Sequence, residues 1–172
     1  MQRTMEAERA AATLVALLEA QGMTCATAES CTGGGVGAAI TSVPGSSAVY
    51  PGGVVSYSNG VKERVLGVPA AVLSAHGAVS AECAEKMALG AKELFRADLA
   101  VSVTGIAGPG GATPGKPVGL VWFGIASASG ARTEKAVFAG DRAAVRAQAA
   151  LHAIGMLAAA AAAATKQQQT NK

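Results

Sequence analysis

Two glycine-rich segments, each directly after a short apolar run, constrain the fold of this chain most strongly. The first spans Thr27 to Gly35 after the run 23–26, and the second spans Thr104 to Gly111 after the run 99–103. Each run is typical of a buried strand, and each glycine-rich segment is typical of the loop that follows one. Backbone N–H groups in such loops, with a helix starting behind the first, favour an anion-binding site. Tight turns alone would also explain the glycines.

The composition indicates a folded protein with a core of small side chains. Of the 172 residues, 51% are hydrophobic, 15% are charged and only 3% are aromatic, so Ala, Val and Leu must fill the core. The net charge of +3 comes without a basic cluster interleaved with aromatics, which argues against nucleic-acid binding. The alanine-dominated run at 154–164 is too short and too weakly hydrophobic to predict a membrane span.

The three cysteines, Cys25, Cys31 and Cys83, are odd in number and lack metal-ligand spacing. The N-terminus shows no secretory signal, so we expect a cytoplasmic protein. We expect no metal and no cofactor.

The order of elements predicts one α/β domain over residues 1–164: a mixed β-sheet with helices on both faces, in three α/β/α layers. The polar segment 165–172 is expected to be a frayed tail. Strands are predicted at 23–26, 52–57, 99–103, 118–126 and 132–138, and helices at 6–20, 36–41, around 62, at 81–96 and from 142 onward.

Several well-known catalytic motifs are absent from the sequence. The first loop lacks the Gly-Lys-Ser/Thr ending of a P-loop, and neither G-x-G-x-x-G nor G-x-S-x-G occurs. The two histidines, His76 in a turn and His152 in an alanine-rich helix, are not placed for a Ser-His-Asp relay.

A serine–lysine pair is therefore the remaining candidate for chemistry. Ser47 lies in Gly45-Ser46-Ser47, and Tyr57 and Lys62 follow on the far side of a strand. A buried lysine can lose its proton and act as a base, and Tyr57 could relay that proton or hold the lysine amine. The alternative interpretation is structural: a turn, a strand end and a solvated helix residue.

Arg142 begins the last helix, with Arg146 one turn further along. Cations at a helix start oppose its dipole, so an approaching anion such as a substrate phosphate would explain them. A partner carboxylate such as Asp141 would explain them equally well.

A series of short motifs runs along most of the chain: Thr-Ala-Glu-Ser-Cys-Thr-Gly-Gly (27–34), Gly-Ser-Ser-Ala (45–48), Val-Ser-Tyr-Ser-Asn (55–59) with Lys62, Gly-Ala-Val-Ser (77–80), Val-Thr-Gly-Ile-Ala-Gly-Pro (103–109), Lys-Pro-Val-Gly-Leu-Val-Trp (116–122) and Gly-Asp-Arg (140–142). In order and spacing this series resembles the CinA C-terminal domain family, the nicotinamide-nucleotide amidohydrolases, over residues 6 to 160.

The resemblance implies deamidation of nicotinamide mononucleotide to nicotinic acid mononucleotide and ammonia, in pyridine nucleotide salvage. It implies Ser47 as nucleophile, Lys62 as base and Tyr57 in support. The expected substrate-binding residues are Ser30, Thr32, Gly33, Gly34, Thr104, Gly105 and Arg142.

Two rival hypotheses stay open at this point. Within the enzyme class, Cys31 near a helix start could be the nucleophile. In a different class, the chain could be a nucleotide-sensing or competence-associated protein-binding module without chemistry. For the amidohydrolase itself we expect a small-molecule substrate, nicotinamide mononucleotide, a homo-oligomer, and neither nucleic acid nor membrane as partner.

Overall fold

The computed structural model describes residues 2–170, with side chains for residues 5–164. Helices and strands alternate through most of this range, and a short 3₁₀ helix at Ser46–Ala48 precedes the second strand. The elements are α1 (Gln2–Gln21), β1 (Cys25–Glu29), α2 (Gly35–Thr41), β2 (Gly52–Val55), α3 (Asn59–Leu66), α4 (Ala70–His76), α5 (Ala81–Phe95), β3 (Leu99–Gly105), β4 (Leu120–Ser127), β5 (Gly130–Val137) and α6 (Arg142–Thr170).

The five strands form one mixed sheet in the order β2-β1-β3-β4-β5. Strands β2, β1 and β3 run parallel, so their carboxyl ends meet at one edge of the sheet. Strand β4 runs antiparallel to β3, and a tight turn returns the chain into β5. This arrangement confirms the predicted mixed sheet, and it gathers the loops after β1, β2 and β3 in one place.

Helices cover both faces of the sheet. On one face, α1, α2 and α6 pack against side chains such as Val101 and Phe123. On the other face, α5, the end of α3 and the middle of α4 join a core with small residues such as Ala26 and Ala100. The small residues let α5 approach closely, and Ser102 Oγ donates a hydrogen bond of 2.5 Å to the carbonyl of Ala84 in that helix.

Helix α6 is the longest element, and residues 142–164 are long and apolar enough to cross a membrane by length and composition. Its apolar side chains Val145, Ala149, Ile154 and Leu157 are fully buried in the core that α6 shares with α1 and the sheet. Such burial is typical of the core helix of a globular domain. Helix α6 therefore forms one outer layer of the fold together with α1 and α2.

The structure differs from the sequence prediction mainly at element ends. Strand β1 extends to Glu29, three residues beyond the apolar run, and the seven-residue α4 was not predicted. Asp141 caps α6, since its Oδ1 accepts a hydrogen bond of 2.8 Å from the N–H of Ala144. Helix α6 continues to Thr170, where a frayed tail was expected from residue 165, and residues 171–172 lie outside the described part.

Candidate active site

Lys62 is the buried cation around which the candidate site is built. It lies in the first turn of α3, where Ser58 caps the helix and Gly67 ends it in a left-handed conformation. Its side chain is only 1% exposed. Its Nζ donates hydrogen bonds to Ser30 Oγ at 3.1 Å and to the carbonyl of Ser56 at 2.7 Å. The ammonium group is therefore held between the ends of β1 and β2.

Burial lowers the pKa of Lys62 below its usual 10.5, because the charged form loses its hydration. The nearby thiols of Cys83 and Cys31 act in the opposite direction with smaller effects. A lowered pKa increases the neutral fraction of the amine, and only the neutral amine can accept a proton. Lys62 thus has the environment of a general base.

Ser30 is the hydroxyl that Lys62 contacts. It directly follows β1, and its N–H donates to the carbonyl of Val103 in the adjacent strand. Its carbonyl accepts a hydrogen bond of 3.0 Å from the N–H of Gly33, which closes a tight turn. Ser30 is 9% exposed. The hydroxyl therefore sits at a fixed position at the carboxyl edge of the sheet.

A cavity of about 190 Å³ opens at this edge and contains both groups. The segment 78–79, before α5, and Thr104 at the end of β3 form further parts of its wall. Thr104 Oγ1 donates to the carbonyl of Ala78 at 2.7 Å, which ties these two parts together. The lining residues are Ser30, Cys31, Tyr57, Asn59, Lys62, Ala78, Val79, Thr104, Gly105, Ala107 and Arg142.

Arg142 and Tyr57 meet at the rim of the cavity. One guanidinium nitrogen of Arg142 donates to the carbonyl of Gly108 at 2.8 Å, and the other donates to Tyr57 Oη at 3.0 Å. The hydroxyl of Tyr57 thus binds Arg142, whereas its backbone carbonyl lies 3.5 Å from Lys62 Nζ. The predicted contact between the tyrosine hydroxyl and the lysine amine is therefore not formed.

Six of the ten predicted site residues line this cavity, and four do not. Those that line it are Ser30, Tyr57, Lys62, Thr104, Gly105 and Arg142. Thr32 is 1% exposed and its hydroxyl has no hydrogen-bond partner among the described residues. Gly33 and Gly34 shape the turn after Ser30, with positive φ of 60° and 94°. These three residues support the loop rather than the cavity wall.

Ser47 is not brought to Lys62. It lies in the 3₁₀ helix that precedes β2, and Val49 from the end of that segment pairs with Cys25 at the start of β1. Lys62 follows the other end of β2, so the strand separates the two side chains. The predicted Ser47–Lys62 pair is therefore replaced by a Ser30–Lys62 pair. The sequence contained a usable signal, because Ser30 and Lys62 both follow parallel strands.

The first glycine loop is not open to an external anion at the start of α2. The carboxylate of Glu29, 1% exposed, accepts hydrogen bonds of 2.8–3.0 Å from the N–H groups of Gly34, Val36 and Gly37. The protein's own carboxylate thus occupies the anion-binding position that the loop composition predicts. Sequence reasoning missed this role for Glu29.

The N–H groups of Cys31 and Thr32, in the same loop, are not bound by the Glu29 carboxylate. Among the described residues, neither donates to an oxygen acceptor. Both act on the Cys31 thiol, where they partly counter the burial that raises its pKa to about 11. Because such a thiol is protonated at neutral pH, the geometry favours Ser30 over Cys31 as a nucleophile. No cluster of three metal-ligand side chains occurs in the described part of the chain.

Comparison with known proteins gives the family. The model of the CinA C-terminal domain matches residues 7–161. The chain belongs to this family. The chain is 50% identical over 141 residues to the nicotinamide-nucleotide amidohydrolase PncC of Escherichia coli K12. The aligned region covers 81% of this chain and 86% of that protein. It is also 51% identical over 133 residues to a CinA-like protein of Citrifermentans bemidjiense.

Solved structures of family members share the fold. A CinA superfamily protein from Klebsiella pneumoniae 700603 superimposes with a TM-score of 0.87 at 38% identity, covering 91% of this chain and 98% of that one. The competence/damage-inducible protein CihA of Agrobacterium tumefaciens gives 0.87 at 40% identity, covering 90% and 94%. By contrast, the chain spans about a third of the length of several CinA-like relatives. These findings confirm the resemblance stated from the sequence.

Proposed function

We propose that this protein hydrolyses the carboxamide of nicotinamide mononucleotide, releasing nicotinic acid mononucleotide and ammonia. The observation that carries the proposal is the 3.1 Å contact between Lys62 Nζ and Ser30 Oγ in a buried site. Support for the substrate comes from the 50% identical amidohydrolase, most of whose length this chain covers. Fold alone would not identify the substrate.

The first half of the proposed reaction acylates Ser30. Neutral Lys62 removes the proton of Ser30 as Oγ attacks the amide carbon, and the carbonyl oxygen becomes an oxyanion. The N–H groups of Cys31 and Thr32, one and two residues beyond the nucleophile, donate to no oxygen of the described residues, and we propose that they stabilise that oxyanion. The ammonium group of Lys62 then gives its proton to the leaving nitrogen, and ammonia departs.

The second half releases the acid. Lys62, neutral again, removes a proton from water as the water oxygen attacks the acyl carbon of Ser30. The tetrahedral intermediate collapses, the bond to Ser30 Oγ breaks, and Oγ recovers a proton from Lys62. The carboxylic acid that forms gives its proton to the released ammonia or to solvent, and the product leaves as a carboxylate. The two half-reactions together use only the substrate, water, Ser30 and Lys62, and their atoms and charges balance.

We infer that Arg142 binds the phosphate of the nucleotide. It lies at the rim of the cavity, and its two recorded hydrogen bonds leave further N–H donors of the guanidinium group for a ligand. Thr104 and Gly105 line the same cavity and are proposed to contact the substrate. We also infer a cytoplasmic enzyme of pyridine nucleotide salvage, consistent with three free, buried cysteines.

The test is ammonia release from nicotinamide mononucleotide by the purified protein, with the product acid identified by chromatography. Adding hydroxylamine should divert part of the product into a hydroxamate, because a strong nucleophile intercepts an acyl-serine. Calorimetric binding of the nucleotide without any ammonia release would instead support the binding module and contradict the proposal.

A further inference from the structure

Arg146 is the residue that the reaction scheme leaves unused although it contacts the nucleophile's loop. It lies on α6, one turn after Arg142, and its side chain crosses to the loop after β1. Its Nε donates to the carbonyl of Cys31 at 3.1 Å, and one Nη donates to the carbonyl of Thr32 at 2.8 Å. A single rigid guanidinium group therefore fixes two consecutive carbonyls.

The direction of these carbonyls determines where the neighbouring N–H groups point. In a trans peptide the C=O and N–H groups point in opposite directions across one plane. The carbonyl of Cys31 shares its peptide plane with the N–H of Thr32. Holding that carbonyl toward α6 thus turns the Thr32 N–H away from α6. This N–H acts on the Cys31 thiol, and Cys31 lines the cavity.

The loop is shaped to admit the guanidinium group. A Cβ atom at Gly33 would lie 3.3 Å from the Nη2 atom of Arg146, which is tighter than ordinary side-chain contact. Arg146 also lowers the pKa of the Cys31 thiol, although this effect is smaller than that of the burial, which raises it. A cation bound to a carbonyl polarises that peptide and makes its N–H a stronger donor.

We propose that Arg146 is a positioning residue that orients and polarises the Thr32 N–H as an oxyanion donor beside Ser30. This inference rests on the proposed function for the identity of the oxyanion. Arg146 itself is not required to touch the substrate. Loss of Arg146 should consequently destabilise the transition state and lower kcat, while KM changes little.

The experiment compares Arg146→Ala with the wild type in deamidation of nicotinamide mononucleotide. Removing an oxyanion donor costs ~10²–10³ in turnover, so misplacing one should lower kcat by roughly 10–100-fold. We expect KM and Tm to stay close to the wild-type values. Added guanidinium ion should restore part of kcat in Arg146→Ala. A fall in Tm that accounts for the loss, a change confined to KM, or no loss of kcat would overturn the role.

Gln148→Ala provides a matched control on the same helix. The side-chain amide of Gln148 also donates from α6 to a backbone carbonyl, that of Ala139, but this carbonyl belongs to the segment before α6. The variant should keep wild-type kcat and should not respond to guanidinium. A kcat loss equal to that of Arg146→Ala would show that any α6 contact matters, and would overturn the inference.

A second measurement separates this inference from the choice of substrate. Acylation of Ser30 by p-nitrophenyl acetate passes through an oxyanion without requiring the nucleotide, and Ser30→Ala gives the background rate. If the wild type does not deamidate the nucleotide yet acylates faster than Arg146→Ala by roughly 10–100-fold, the substrate proposal fails and the role of Arg146 stands. Equal acylation rates in both proteins, zero included, would overturn the role of Arg146.

Discussion

At the scale of single residues, the buried amine of Lys62 determines how the site should respond to pH. Its pKa lies below 10.5 because burial disfavours the charged form. We expect kcat/KM to rise with pH as Lys62 loses its proton, with a midpoint below 10.5, and then to level off. The measurement is a pH–rate profile of ammonia release. A midpoint at or above the ordinary lysine value would contradict the assignment of Lys62 as the base.

Lys62→Arg is the control for this profile. A guanidinium group keeps the positive charge but stays protonated throughout the accessible pH range. We therefore expect the variant to be inactive at every pH while it retains a folded structure by circular dichroism. Activity in this variant with an unchanged profile would show that the titrating group is not Lys62.

Arg142 allows a test of phosphate recognition. Hydrogen bonds to charged groups contribute ~1.5–3 kcal/mol, so Arg142→Ala should raise KM for the nucleotide by roughly 10–100-fold. The dephosphorylated riboside should be affected little, because it has no phosphate for the guanidinium group to bind. Arg142 also bonds to Tyr57 and Gly108, so a purely structural role would weaken both substrates equally. Equal losses would contradict phosphate binding.

At the scale of elements, Glu29 joins the end of β1 to the start of α2. Its buried carboxylate accepts three N–H groups of the loop and first helical turn. Glu29→Ala would leave buried donors without partners, at a cost of roughly 2–5 kcal/mol of unfolding free energy. The expected fall in Tm is roughly 5–15 °C for a chain of this size.

Glu85→Ala is the control for Glu29. Glu85 pairs at 3.7 Å with Lys86, and both side chains are 41% exposed. Exposed ion pairs contribute little, so its Tm should stay near the wild-type value. Thermal unfolding of both variants checks the prediction. An equal Tm in Glu29→Ala and the wild type would show that the carboxylate does not hold α2.

The first two turns of α6 connect the two glycine-rich segments. Arg142 donates to the carbonyl of Gly108 in the second segment, and Arg146 donates to those of Cys31 and Thr32 in the first. The sequence predicted an anion or a carboxylate as partner for these arginines. In the structure both arginines donate to backbone carbonyls and Arg142 donates also to Tyr57 Oη, while Asp141 caps its own helix. Arg146 and Thr32 are 114 positions apart in the sequence, so the local spacing of residues around Arg146 does not reveal this contact.

At the scale of the whole molecule, the sequence predicted the order of strands and helices well because apolar runs and glycine loops alternate regularly. It did not predict α4, which follows Pro69 and has no side-chain cap. Ser47, which the sequence indicated as the nucleophile, precedes β2 and Lys62 follows it, so the structure does not bring these two side chains together. A buried acid such as Glu29 looks like any surface acid in the sequence, so its role emerged only from the structure.

The most direct test of the Ser30–Lys62 assignment compares Ser30→Ala with Ser47→Ala in ammonia release from nicotinamide mononucleotide. Loss of the nucleophile should lower kcat by ~10³-fold or more in Ser30→Ala. Ser47 is exposed at the opposite edge of the sheet, so Ser47→Ala should retain wild-type turnover. Undiminished turnover in Ser30→Ala, or its loss in Ser47→Ala at an unchanged Tm, would contradict the assignment.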